Sequence, residues 1–158
     1  MSQWGRNGQI TTAGTGTRVD LGESWLEVLL CGAESGKQFG AFVFHHAAIA
    51  ENPPYAHQDF AKLLFILDVQ YEFRVGDATF CGGPGSLVLV PKGSQHAFTT
   101  ATGGRVLFVC TPSGNEEMFL EISALGPDAS PDELARVSAR FHTAGLPGPE
   151  GAPWRPHR

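Results

Sequence analysis

The stretch Trp25-Leu26-Glu27-Val28-Leu29-Leu30-Cys31 is the first run apolar enough to predict a strand, and the turn residues from Gly32 to Gly36 close it. Gln38 to Ala50 predicts the next strand, entered through Gly40, and Pro53-Pro54 forces an extended approach to Tyr55. Leu63 to Leu67 is a continuous apolar run, the pattern of a short strand buried on both faces. Gln70 to Val75 alternates polar and apolar, which predicts one wet face carrying Glu72 and Arg74. Gly76-Asp77 turns this strand into Ala78-Thr79-Phe80. After the loop Gly82-Gly83-Pro84-Gly85 come strands at Ser86 to Val90 and Arg105 to Cys110. Glu117 to Ser123 fits strand and helix equally. Ser130-Pro131-Asp132-Glu133 has the cap serine, first-turn proline and returning glutamate of a helix start. Leu134, Val137 and Phe141 then form an apolar stripe that packs the helix on the barrel's outside, and Gly145 ends it.

Many short strands followed by one late helix predict an all-β antiparallel sandwich or barrel with a short C-terminal helix. The chain divides into an arm at 1–17, a barrel at 18–125, and a helix with a Pro-rich tail at 126–158. Trp4 and Trp154 are isolated apolar residues in the polar arms. At 158 residues, 42% of them hydrophobic, the chain can build one domain with its own core. A net charge of −5 with no basic stripe excludes nucleic acid as the expected partner. No apolar run approaches the ~18 residues of a membrane span, and MSQWGRNGQI has no apolar leader core, so a cytoplasmic protein is expected. Cys31, Cys81 and Cys110 stand singly in apolar runs, as buried reduced thiols do.

Chemistry concentrates between positions 52 and 98. Gly85, Pro91, Gly93 and His96 make a G-x5-P-x-G-x2-H pattern that resembles the second motif of the cupin family. From about Leu26 to about Thr111 the chain resembles single-domain bacterial cupins similar to quercetin dioxygenases and polyketide cyclases. That resemblance implies a jelly-roll β-barrel, and a homodimer. Thr100 stands where the family often has asparagine. The family's first motif, G-x5-H-x-H-x3,4-E-x6-G, supplies two histidines and a glutamate that hold a metal together with the second-motif histidine. Alignment through LFILDVQYEF puts Tyr55 at the first histidine, His57 at the second, Lys62 at the glutamate and Val69 at the closing glycine. Two of four ligands are thus replaced, one by a lysine that repels a cation while protonated.

The alignment brings Tyr55, His57, Lys62 and His96 together at one end of an apolar barrel, with Phe44, Phe65, Phe73, Phe98 and Phe108 as candidate substrate-binding walls. Burial lowers the pKa of a lysine or histidine toward values useful for proton transfer. The expected function is metal-independent acid–base catalysis on a carbonyl-bearing, apolar or aromatic small molecule: a cyclisation, isomerisation or dehydration of secondary metabolism with no cofactor. Lys62 or His57 would be the base, Tyr55 the hydrogen-bond donor, and His96 the partner or acid. One alternative is a metal-dependent dioxygenase or cyclase in which His57 and His96, with Tyr55 or an inward His46, hold Zn, Ni, Fe or Mn. His45 and His46 are adjacent, so at most one faces inward. The other alternative is a barrel that binds a small molecule without turning it over, with Lys62 paired to Asp59 or another acid.

Overall fold

The computed structural model describes residues 8–48 and 54–144; Trp4, Trp154, Gly145 and Pro53 lie outside them. Eleven strands and two helices follow in the order β1 (Thr17–Leu21), β2 (Ser24–Leu30), β3 (Gly40–His46), β4 (Ala56–His57), β5 (Ala61–Ile66), β6 (Tyr71–Val75), β7 (Ala78–Gly82), β8 (Leu87–Val90), β9 (His96–Thr99), β10 (Gly104–Thr111), α1 (Asn115–Ala124), α2 (Pro131–Arg140) and β11 (Thr143–Ala144). All the paired strands are antiparallel. One sheet has the order β1-β2-β3-β10-β5-β8 and a second has β7-β6-β9. A bridge between Tyr55 and His96 joins β9 to the β4 segment, which in turn pairs with β11. The two sheets enclose a core that includes Leu26, Phe42, Phe44, Ile66, Phe98 and Phe108. This is an antiparallel jelly-roll barrel.

Alternation governs which residues reach that core. Along β5, Lys62, Leu64 and Ile66 are buried, whereas Leu63 and Phe65 are 37% and 39% exposed. The apolar run is therefore buried on one face only, and Phe65 is on the outer surface rather than in a substrate wall. A period of two sends alternate residues to opposite faces whatever their polarity. The outward face continues onto the edge strand β8, where Leu87 and Leu89 pair with Phe65 and Leu63 and are 61% and 59% exposed. Glu72 and Arg74 are exposed on β6 as the alternation predicts. Of the thiols only Cys110 is buried; Cys31 is half-buried and Cys81 is exposed on β7.

Glu117 to Ser123 lies in α1, which buries Met118, Phe119 and Ile122 at helical spacing against the core. The late helix is thus one of two among the described residues. α2 starts with the complete capping box between Ser130 and Glu133, but it ends at Arg140 rather than Gly145. Phe141 packs on the core, and the chain then turns so that β11 can pair with β4.

The turn before β6 supports the registration of the first motif. Val69, at the family's glycine position, has φ 57, a left-handed conformation that β-branched residues rarely adopt. Val69→Gly would relieve strain of roughly 1–2 kcal/mol and lose a partly buried side chain of similar worth. Denaturant titration should find it within about 1 kcal/mol of the parent, where an unstrained partly buried valine loses more.

Candidate functional site

The four residues singled out between positions 55 and 96 come together, and they come from both sheets. Tyr55 and His96 exchange backbone hydrogen bonds of 3.1 and 2.9 Å, which fixes the small-sheet side. Gly93, at φ 73, donates its N–H to the His57 carbonyl at 2.7 Å, so the turn before His96 is tied to the end of β4. A side chain at Gly93 would be strained at that φ and would meet Gln58 at 3.2 Å. The rings then gather: Tyr55 to His96 4.3 Å, Tyr55 to His57 5.3 Å, and His57 to His96 5.7 Å between centroids.

Lys62 enters from the opposite sheet. It pairs across β5 with Val90 and Cys110, and all three are buried on the inner face. Its Nζ lies 4.9 Å from the centroid of the Tyr55 ring and 5.5 Å from that of Phe108. The residue is only 2% exposed and makes no ion pair with a carboxylate among the described residues. Asp59, the acid nearest to it in sequence, pairs instead with His142 at 2.8 Å.

Hydrogen bonds fix the tautomer of His96. Its Nδ1 lies 3.0 Å from the Ser94 carbonyl, which can only accept, so Nδ1 carries the hydrogen and Nε2 the lone pair. His57 Nδ1 is 2.8 Å from Thr143 Oγ1. The threonine hydroxyl has its own acceptors in Phe141 O at 3.4 Å and Met118 Sδ at 3.5 Å, which leaves an oxygen lone pair for a His57 Nδ1–H. Both Nε2 atoms are buried and without a hydrogen-bond partner.

Burial and mutual repulsion make this cluster electrically neutral just above pH 7. Desolvation brings the Lys62 amine down to about 7. Burial, then the charge of Lys62, takes His96 down to about 3, against the Ser94 hydrogen bond that favours the charged ring. His57 is held far below its ordinary value by burial, then by Lys62 and His96. Burial pushes the Tyr55 hydroxyl upward. Near neutrality the imidazoles are therefore uncharged, with their Nε2 atoms as acceptors. Lys62 is the one group of the four that changes charge close to pH 7.

The residues do not fit a catalytic metal. Their tied Nδ1 atoms and unpartnered Nε2 atoms give His57 and His96 the form of metal ligands. A divalent catalytic ion normally takes about three protein ligands, and the position that would supply the third carries an amine. No group of three His, Cys, Asp or Glu placed to hold an ion occurs among the described residues. His46 does not join the two histidines. It is buried, but it pairs with Gly104, six residues along β3 from the Gly40–Cys110–Lys62 row, or roughly 20 Å of backbone at 3.3 Å per residue. There its Nδ1 is 3.1 Å from Tyr71 Oη and its ring stacks on Phe44 at 4.1 Å. His45 faces outward and stacks on Trp25 at 3.6 Å.

Of the predicted aromatic walls, Phe108 touches the cluster through Lys62. Phe44, Phe73 and Phe98 are core residues further along the barrel, with Phe98 4.7 Å from His46 and 6.1 Å from Phe73. Two contributors escaped the sequence reading. Phe60 stacks on His57 at 4.5 Å, and Thr143 orients the same ring from 86 positions away. Phe60 follows His57 by only three residues, so an aromatic so close to a candidate site was the available signal. Thr143 gave none. Thr143→Val should cost about 0.5–1.5 kcal/mol of stability and release the His57 tautomer. In 15N NMR the His57 ring, single-tautomer in the parent, should become a mixture; an unchanged spectrum would show that the threonine does not orient it.

No family model matches the chain, and no curated protein matches it. Solved structures do. A RmlC-like cupin from Shewanella frigidimarina aligns at TM-score 0.60 and 15% identity over 70% of this chain and 96% of that one. The polyketide cyclase RemF from Streptomyces resistomycificus aligns at 0.54 and 18%, over 68% and 80%. The nucleoside dehydratase Pac13 aligns at 0.54 and 12%, over 70% and 87%. At these identities the likeness is one of fold, and the fold of this chain is that of the cupins.

Proposed function

We propose that this cupin-fold protein is a metal-independent enzyme performing acid–base chemistry on a carbonyl-bearing, largely apolar or aromatic small molecule. The observation that carries the reading is Lys62: a buried amine, without a carboxylate partner among the described residues, whose pKa of about 7 suits proton transfer. In its neutral form the amine takes a proton from the carbon next to the substrate carbonyl. The electron pair moves into the carbonyl, and the enolate oxygen is met by the ammonium just formed and by the Tyr55 hydroxyl. His57 and His96 accept hydrogen bonds from O–H or N–H groups of the substrate. Where a hydroxyl lies β to the carbonyl, the Lys62 ammonium returns its proton to that oxygen, which leaves as water. Where a second carbonyl lies within reach, the enolate carbon closes a ring on it. Dehydration and cyclisation are also what the names of Pac13 and RemF describe for those two proteins.

The test can be run before the natural substrate is identified. Aryl 1,3-diketones and aryl β-hydroxy ketones are incubated in D2O with the protein and followed by NMR. We expect protein-dependent exchange at the α-carbon or loss of water, both absent with Lys62→Met. Equal exchange with Lys62→Met would overturn the role of the lysine. Tight binding without exchange across the panel would make the barrel a binding module.

A further inference from the structure

We infer that Lys62 is the resident cation of this site: its ammonium stands in for a divalent ion between the two sheets and keeps such an ion out. The argument starts from the two imidazoles. Each has its Nδ1 engaged, by Ser94 O at 3.0 Å and Thr143 Oγ1 at 2.8 Å, and its Nε2 buried without a partner. A buried lone pair left unmatched costs free energy, so such a pair marks a place for a hydrogen-bond donor or a cation. The described residues bring a single cationic group beside these rings, the Lys62 amine, seated over the faces of Tyr55 and Phe108 at 4.9 and 5.5 Å, and the Tyr55 ring lies 4.3 Å from that of His96 and 5.3 Å from that of His57. Aromatic faces attract an ammonium. No described carboxylate pairs with it, so its charge remains available to the ligand.

A tethered ammonium offers one positive charge and three N–H donors where a metal would offer two charges and open coordination positions. It therefore suits an oxyanion or carbonyl oxygen, as a metal does, but cannot activate dioxygen or change oxidation state. It also repels any second cation, and repulsion across a few ångströms of buried protein weakens metal binding by orders of magnitude. The metal-binding capacity of the two histidines is then masked rather than lost, and position 62 alone decides between the two states. The inference concerns the site of the proposed reaction but needs no turnover, so either can fail without the other.

The test is equilibrium dialysis of the full chain, without a histidine tag, against zinc chloride at about pH 6, where the Lys62 amine carries its proton, with bound metal counted by plasma emission. The parent should retain less than about 0.1 equivalent after dialysis. Lys62→Met, which removes the charge and keeps an unbranched side chain only one atom shorter, should bind zinc at least about tenfold more tightly than the parent. Lys62→Glu completes a three-ligand set with His57 and His96 and should retain about one equivalent, lost again when His96→Ala is added. Circular dichroism identifies any variant that does not fold, and Lys62→Met keeps the test decisive if Lys62→Glu is such a variant. Retention of about one equivalent by the parent, lost in His96→Ala, would overturn the inference. Folded Lys62→Met with no gain over the parent would overturn it equally.

Discussion

Lys62→Met is expected to abolish turnover and to stabilise the protein at the same time. An amine with a pKa of about 7 in the folded chain and 10.5 when unfolded binds fewer protons folded than unfolded between those values. Below pH 7 both states carry the proton, and the folded state bears the whole cost of desolvating it. From 7 to 10.5 the folded amine is neutral while the unfolded one still holds its proton, so stability falls as pH drops from 10.5 towards 7 relative to a chain without the amine's burial cost, and rises with pH across the window until the cost is gone above 10.5. At 1.36 kcal/mol per pH unit that cost is on the order of 5 kcal/mol as an upper bound. Methionine fills a similar volume with no charge, and exchanges of buried ionic groups for apolar ones have stabilised proteins by about 1–4 kcal/mol. Urea titrations at pH 6.5 and 9.5 should show the parent gaining more stability with pH than Lys62→Met does, because the buried histidines and the Cys110 thiol titrate alike in both and only the difference belongs to the amine. A parent that gains no more than Lys62→Met would mean that the amine is not desolvated, and the proposed base would lose its physical ground.

Gly40→Ala is expected to cost 3 kcal/mol or more, roughly the upper range for a single substitution. Glu116 is fully buried near the start of α1, where its carboxylate accepts from Gly114 N at 3.1 Å, Gly32 N at 3.2 Å and Cys110 Sγ at 3.4 Å. Burial and this carboxylate push the Cys110 thiol up to about 12, so it stays protonated and donates. A Cβ on Gly40 would stand 1.8 Å from Glu116 Oε2. The end of a glutamate can usually swing aside, but this one cannot without abandoning three donors in a dry interior. Because Gly40 pairs with Cys110, and Cys110 with Lys62, the disturbance falls on the row that holds the amine. Adding Glu116→Ala removes the clash but leaves those donors unpaired. The double variant should therefore be less destabilised than the sum of the two singles, by at least about 1 kcal/mol. Simple additivity would show that Gly40 and Glu116 do not share the space.

The sequence carried the fold well because its signals were local. The G-x5-P-x-G-x2-H pattern places two glycines, Gly85 and Gly93, at φ 86 and 73, and the capping box at Ser130 forms as written. Alternation on β6 was legible because its exposed residues are charged. On β5 it was not, because Leu63 and Phe65 face outward, and hydrophobicity alone does not name a side. For the same reason Phe65 passed for an interior wall. Tyr55, His57, Lys62 and His96 were legible through the resemblance to the family's two motifs, since aligning with them implies a strand register and hence a facing. His46, a possible third ligand only in the alternative metal reading, lies elsewhere because inward orientation says nothing about position along the barrel. Thr143 was invisible, since a contact across 86 positions leaves no periodic trace.

That long separation has a consequence for synthesis. β4 leaves the ribosome early, and its partner β11 follows only after both sheets and both helices have been made. At 5–20 residues per second the interval between His57 and Thr143 is roughly 4–17 s. During it the barrel strands can pair while the His57 ring has no anchor at Nδ1. A nascent chain stalled after α1 would thus hold a nearly complete barrel around an unfinished site, and the candidate site is completed only after the barrel strands that surround it.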